Sequence, residues 1–386
     1  MEGIMSDNFK LDSTILSKEL KLLIDLLSSK GANDSEGIYL FKDIDWSTFL
    51  DLVYHHRCHP IIYLKLKDMP EKIVPLEVIQ TLYQEYKKNT FKMLQLSGEM
   101  EQISELFTKN QIKSLFLKGP VVAYDLYGDI SLRTSKDLDI LIPEKDLDKV
   151  ETLLLNSGYV KDEVPTILNE RKWRKHHIEY FHPQKRIQIE IHWRLHNRPM
   201  KEPSFNELWQ RKRLTPLTNY PVYFLGEEDL FLHLVVHGAR HGWFRLRWLI
   251  DIDQIIQKGI DYKKVNSLMG KLGYSHLVGQ SIILCSQLLN SPIYKEVRVV
   301  TEGSRPRRLA EKAYFYISIS KEFTYDISYL FSLKSNVQKL LYIFVLFYPR
   351  YGDSRILRLP KCLHLLYFPL KPFLWMWRKV KKPKVF

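Results

Sequence analysis

The segment 136–142, KDLDILI, places two aspartates, Asp137 and Asp139, two residues apart in an apolar run. Alternation of this kind has the period of a β-strand, so both carboxylates leave one sheet face while Leu138, Ile140 and Ile142 enter a core. Two carboxylates so close repel, and a hard divalent cation with oxygen ligands is the usual remedy, with Mg2+ the first choice and Mn2+ the alternative. The stretch 186–194, RIQIEIHWR, repeats the alternation, with Ile187, Ile189 and Ile191 on one face and Gln188, Glu190 and His192 on the other. As a neighbouring strand it would bring Glu190 beside the aspartates. Three carboxylates on adjacent strands can hold two metal ions, one activating an attacking oxygen and one clamping a triphosphate and its leaving group.

Around these strands the pattern is helical. Residues 11–96 carry apolar side chains at three- and four-residue spacing (Leu20, Leu23, Ile24, Leu27), with HHRCHP at 55–60 marking a loop near Pro60. An amphipathic helix is expected over 93–109, then a short buried strand over 113–118 closed by Gly119-Pro120, where strand passes to helix. A short helix over 121–126, the strand 136–142 ended by Pro143, and a helix over 145–156 stopped by Ser157-Gly158 complete an α/β segment, with 186–194 as the next strand. From Gly226 onward the pattern is helical again, over 227–239, 246–258, 262–291, 306–319 and 328–348, and no repeat is visible.

The 386 residues, 45% hydrophobic and 26% charged, suffice for one large core or two to three modest ones. A formal net charge of +14 points to an acidic partner: nucleotide, nucleic acid or anionic membrane. Half of it lies in residues 361–386, which hold seven Lys/Arg and no Asp/Glu. There Trp375 and Trp377 beside Arg378, Lys379, Lys381, Lys382 and Lys384 suit an interfacial anchor on anionic lipid. A solvated basic end packed by its aromatics suits them equally, because Pro369 and Pro372 break a long amphipathic helix. The longest clean apolar run, Leu340 to Pro349, has ten residues, against about 20 for a membrane span. Three scattered cysteines, Cys58, Cys285 and Cys362, argue against a disulfide scaffold and for a reducing, cytoplasmic compartment. The acidic opening MEGIMSDNFKLDST lacks an apolar signal region, so the mature chain is expected to begin there.

At the strand-to-helix junction Lys118-Gly119-Pro120, glycine permits close backbone approach and the helix N-terminus favours phosphate. Arg133 and Ser135, just upstream of Asp137, can add donors to phosphate oxygens. The order Lys118-Gly119, then Arg133-x-Ser135-x-Asp137-x-Asp139, then a strand with Glu190, resembles the DNA polymerase β-like nucleotidyltransferase superfamily. The wording LKG, R-x-S-x-DLDILI, IEIHW and HGARHGWFRLRWLIDID is most similar to its bacterial uncharacterised nucleotidyltransferase branch, over about Leu96 to Lys258. The resemblance implies that Asp137, Asp139 and Glu190 bind metal and that Lys118, Gly119, Arg133 and Ser135 handle a triphosphate, while the third strand also offers His192. One departure is Pro120, where the superfamily turn has a second Gly or a Ser. Proline offers no amide hydrogen, so the phosphate grip is expected to be altered or to pass to Lys118. The fold class expected is α+β: a small mixed-sheet nucleotidyltransferase domain over 96–215, helical modules over 1–95 and 216–348, and a basic aromatic tail over 349–386.

His233, His237 and His241 recur every four residues, a spacing that can bind zinc on one helix face, with Gly238 and Gly242 expected to interrupt that helix. Core hydrogen bonding is the alternative, and lining of a nucleotide cleft by His237 and His241, with His192 and Arg247, is preferred. Asp251 and Asp253 would pair with Arg240, Arg245 and Arg247, either to orient them or simply to pack helices. Three functions follow. The first is metal-dependent transfer of NMP from an NTP to an unidentified acceptor hydroxyl, nucleic acid being a less favoured acceptor. The second is an inactive NTP-binding or membrane-surface scaffold of the same fold, and the third a zinc hydrolase.

Overall fold

A computed structural model describes residues 9–28, 40–162, 168, 175–319, 326–349 and 351–381. The first eight residues, the side chains of Arg378, Lys379 and Lys381, and Lys382 and Lys384 lie outside the described residues. The architecture is mixed α and β, as the alternating periods require. The chain divides into two compact units, Met1–Asp139 with Ser204–Leu333, and Ile140–Pro203 with Lys334–Phe386.

The first unit opens with helices α1 (Lys18–Leu27), α2 (Trp46–His55) and α3 (His59–Leu66). Ser17 caps α1 by accepting from the Leu20 amide, and Asp45 caps α2 by accepting from Ser47 and Thr48. The expected loop in HHRCHP is the turn 56–58 between α2 and α3, and Pro60 falls just after it in the first turn of α3, where a helix needs no amide donor. Helix α4 runs unbroken from Leu76 to Lys109, 34 residues or about 50 Å. The sequence pattern reads the end of a helical module to about Leu96 and a separate helix from Met93, where the structure has one. No proline interrupts the earlier turns, and Leu82, Asn89, Met93, Leu96, Met100, Ile103 and Phe107 form one buried stripe.

After α4 come strand β1 (Leu115–Phe116), helix α5 (Pro120–Tyr127) and strand β2 (Asp137–Leu141). The division of the chain falls inside β2. In this unit the strand order is β2-β1-β7-β6, with β6 (Arg213–Leu214) antiparallel to β7 (Tyr223–Phe224) and β7 parallel to β1. The short helix α7 (Phe205–Gln210) precedes β6 with a Ser204/Glu207 capping box. Helices α8 (Glu227–Arg240), α9 (Leu246–Lys258), α10 (Tyr262–Leu272), α11 (Ser275–Leu289), α12 (Ser304–Ser318) and α13 (Ile327–Ser332) follow. The expected helix over 262–291 is two, because Gly273 adopts a left-handed conformation (φ 77°) that ends α10.

The second unit holds the end of β2, helix α6 (Leu147–Asn156), β3 (Val160–Lys161), β4 (His177–His182) and β5 (Ile187–His192), in the sheet order β3-β4-β5-β2. The Ile142 amide donates to the His192 carbonyl at 2.9 Å, extending the β2–β5 ladder. Helices α14 (Asn336–Phe347), α15 (Tyr351–Ile356) and α16 (Tyr367–Lys381) complete it. No helix among the described residues is long and apolar enough to cross a membrane.

Candidate active site

The turn from β1 to α5 and the start of β2 are built as one object. Gly119 stands at φ 84°, a conformation open to glycine and strained for any other residue. A Cβ there would also lie 3.4 Å from Leu138 Cδ2, so the turn packs directly on the aspartate strand. The Leu117 amide donates to the Asp139 carbonyl at 2.9 Å. Lys118, projecting from this turn, places its ammonium 3.2 Å from Asp139 Oδ1, with the two side chains 17% and 3% exposed. Pro120 lies in the first turn of α5, so the amide it lacks is one the helix would not have used internally.

Alternation on β2 works as the pattern requires. Leu138 and Ile140 are fully buried. Asp137 is half-buried and Asp139 buried on the opposite side of the strand. Asp137 feels two cations that motif reading missed, Arg57 from the α2–α3 turn and Lys92 from α4. Burial, and then the charge of Arg245, lower the Arg57 guanidinium to about 10, while Asp137 opposes the shift. Burial likewise lowers the Lys92 ammonium against the pull of Asp137. Arg57 stands at φ 56°, a signal available only from the backbone.

Arg133 and Ser135 lie on the approach to β2. The Arg133 guanidinium donates to both carboxylate oxygens of Asp251 at 3.0–3.1 Å, and both side chains are out of solvent (1% and 0% exposed). Tyr127 donates to the same carboxylate at 2.8 Å. Ser135 Oγ donates to the Asp137 carbonyl at 3.0 Å, bracing the first residue of the strand. Arg247 donates to the carbonyl and hydroxyl of Thr134. Burial, and then the charge of Arg133, pull its guanidinium down to about 9. Asn89 of α4 donates to the Ser131 carbonyl at 2.6 Å. Arg133 is thus held on Asp251, and the segment 129–136 is pinned from α4 and α9.

His237 and His241 lie on α8 and at its end, their rings 4.7 Å apart, with His241 stacked on Trp248 at 5.2 Å. Desolvation pushes both imidazoles well below their ordinary value. Lys118 adds to the shift in each, so both lie within reach of its charge. Gly238 does not interrupt α8, contrary to the sequence expectation. A Cβ at that position would fall 2.3 Å from Trp243, whose fully buried ring fills the space. Glycine there serves packing. Among the described residues, the sets of three potential ligand atoms lying within 4.8 Å of one another do not include His233, His237 and His241 together.

In the second unit, Glu190 and His192 share a face of β5, with His192 Nε2 3.2 Å from Glu190 Oε2. The facing strand β4 brings His177 and Glu179 to the same place. Sequence reasoning missed both, because the alternation of HIEYFH breaks where Tyr180 and Phe181 stand side by side. Burial and the facing Glu190 raise the Glu179 carboxyl above its ordinary value. Asp137, Asp139 and Glu190 offer the hard oxygen donors that Mg2+ or Mn2+ takes, and the buried Asp139 carboxylate already sits against a cation, Lys118.

A solved structure of an antigenic nucleotidyltransferase-like protein from Paracoccidioides brasiliensis is similar at 13% identity, over 52% of this chain and 94% of that one, with a TM-score of 0.31. None of the curated proteins matches the chain. The family model described as "Uncharacterised nucleotidyltransferase" matches residues 42–290, well beyond the stretch from Leu96 to Lys258 that carries the motifs. The match takes in α2 to α4 upstream, including Arg57 and Lys92, and α10 and α11 downstream. The chain therefore belongs to the uncharacterised nucleotidyltransferase family.

Proposed function

We propose that the protein moves NMP from an NTP to an acceptor hydroxyl with release of pyrophosphate. The observation that carries this reading is the buried Asp139 carboxylate beside Asp137 on a strand packed against the Lys118-Gly119 turn. Asp137, Asp139 and Glu190 would hold Mg2+ or Mn2+, which would supply charge neutralisation and Lewis acidity when bound. Lys118, with Arg57 and Lys92, would neutralise the triphosphate, Gly119 allowing its close approach. Arg133 and Ser135 would keep the aspartates in place, while His237, His241 and Arg247 line the cleft. The acceptor oxygen bonds to the α-phosphorus as the bond from that phosphorus to its bridging oxygen breaks. The acceptor proton passes to a carboxylate, Glu190 or Asp139, and the electron pair leaves with pyrophosphate. In this reading residues 96–215 form the catalytic domain, 1–95 and 216–348 its helical modules and 349–386 the tail.

Calorimetric titration with ATP, GTP, CTP and UTP, each with Mg2+ or Mn2+, tests the reading without knowledge of the acceptor. Metal-dependent binding is expected for at least one NTP. Failure of all four to bind would instead favour an inactive scaffold.

A peripheral position on the cytoplasmic membrane surface is part of the same proposal. In α14 Leu340 and Phe344 are 58% and 63% exposed, and in α16 Trp375 and Trp377 are 50% and 55% exposed. The segment 361–386 carries seven cations and no acid, which suits anionic headgroups. Sedimentation with phosphatidylserine-containing vesicles should bring down the full chain and lose a truncation at 360. Equal partitioning of the two would end the membrane reading.

A further inference from the structure

We propose that the β4–β5 hairpin is a binding site for a divalent transition cation, formed by His177 and Glu179 on one strand, Glu190 and His192 on the other, and the adjoining His176. The two strands carry mirrored triplets, His177-Ile178-Glu179 and Glu190-Ile191-His192. Their antiparallel register sets His177 opposite His192 and Glu179 opposite Glu190. Residues two apart share a sheet face, so all four polar side chains meet on one side of the hairpin.

The distances are those of a cluster. His177 Nε2 lies 3.6 Å from Glu179 Oε1 and 3.9 Å from Glu190 Oε2. His192 Nε2 lies 3.2 Å from Glu190 Oε2, and His176 Nε2 lies 3.3 Å from His177 Nδ1. One ligand atom from each of His176, His177 and His192 falls within a mutual 4.8 Å, as does one from each of His177, Glu179 and Glu190. His176 and His192 are buried. Carboxylates directly opposite across two strands repel, and a cation between the strands removes that cost.

The donor set chooses the ion. Imidazole nitrogen beside carboxylate oxygen suits Zn2+, Co2+, Fe2+ or Mn2+, whereas Mg2+ prefers oxygen and water. A cavity of about 310 Å³, lined in part by Asp162, Lys175, His176, His177, Glu179 and Asn197, opens onto the cluster. That opening leaves room for water or a substrate atom on the ion, unlike a closed structural zinc site. Glu190 is shared with the transferase proposal, but His176, His177 and Glu179 are not, and the site goes beyond that reading.

The test uses the full chain stripped of metal by a chelator and titrated with Co2+ and Zn2+. One equivalent should bind, Co2+ developing the visible absorption of nitrogen-coordinated metal, and excess Mg2+ should fail to displace it. Replacing His177 by Ala removes a direct ligand and should weaken Zn2+ binding by more than about 100-fold, beyond the roughly 10–100-fold that loss of an outer-sphere partner costs. Glu179→Gln, on an exposed side chain, should weaken it less and serves as a second variant should His177→Ala misfold. Absence of a cobalt spectrum, displacement by Mg2+, or wild-type affinity in both variants would overturn the proposal. Cobalt binding without any NTP binding would sink the transferase reading alone, and NTP binding with Mg2+ but no cobalt site would sink this one alone.

Discussion

The Lys118 ammonium lies 3.2 Å from Asp139 Oδ1, and the aspartate is almost wholly removed from water. A buried carboxylate is tolerable only with a cation beside it, and a lysine on a glycine turn can give way to a metal ion or move to a phosphate. Lys118→Met should therefore lower stability by about 2–3 kcal/mol, less than the cost of breaking a fully buried pair because the lysine is partly exposed. Adding Mg2+ or Mn2+ should then raise the Tm of the variant more than that of the wild type. Equal metal shifts in the two proteins would contradict the shared role of cation and lysine at Asp139.

Arg133 and Asp251 form a pair shut off from solvent on both sides. Either single change, Arg133→Met or Asp251→Leu, leaves one buried charge uncompensated and should cost about 3–5 kcal/mol in urea denaturation. The double variant should cost clearly less than the sum of the two, because neither charge remains. Additive losses would mean that the two residues act separately.

Gly238→Ala ordinarily favours a helix by about 1 kcal/mol, since alanine is the better helix former. Here the new methyl would meet the Trp243 ring at 2.3 Å, so overpacking should dominate and lower stability by about 1–3 kcal/mol. A raised Tm would show that the indole can move aside.

How much of this was legible follows from where the signals are local. The β2 alternation and the breakers Gly119, Pro143 and Gly158 are carried by neighbouring residues, so the strand and the helices α5, α6 and α9 fell close to expectation. Arg57 and Lys92 come to Asp137 from the α2–α3 turn and from α4, far upstream, and no local pattern connects them. Strand β4 was missed because its polar side chains His177 and Glu179 make sense only opposite His192 and Glu190. The apolar run 113–118, closed by Gly119-Pro120, marked β1, whereas the two-residue strands β6 and β7 are set by their pairing, as Arg213 with Phe224, and leave no period to detect. Arg133 read as a phosphate donor from its motif position, while its partner Asp251 stands 118 residues away in the chain.

Acid should weaken the fold through its buried histidines. Burial holds His56 well below its ordinary value, desolvation does the same to His237 and His241, and burial sets His59 and His276 at about 4. Each stays neutral in the folded chain while its unfolded counterpart takes a proton below about pH 6.5, so stability falls as pH drops from there towards 4. A fully buried one such as His56 contributes at most about 1.4 kcal/mol per pH unit. Glu202, raised to about 7 by burial, works in the opposite direction over pH 7 to 4.5 and offsets part of the loss. Urea midpoints should fall between pH 7 and pH 5, and a flat profile would contradict the neutral buried histidines.

The most direct test of nucleotidyl transfer at the β2 aspartates is calorimetric NTP binding by wild type and by Asp137→Asn/Asp139→Asn, with and without Mg2+ or Mn2+. Binding should require the metal and vanish in the double variant while its circular dichroism stays that of the wild type. Equal binding by a folded double variant, or no NTP bound by the wild type with either metal, would contradict it.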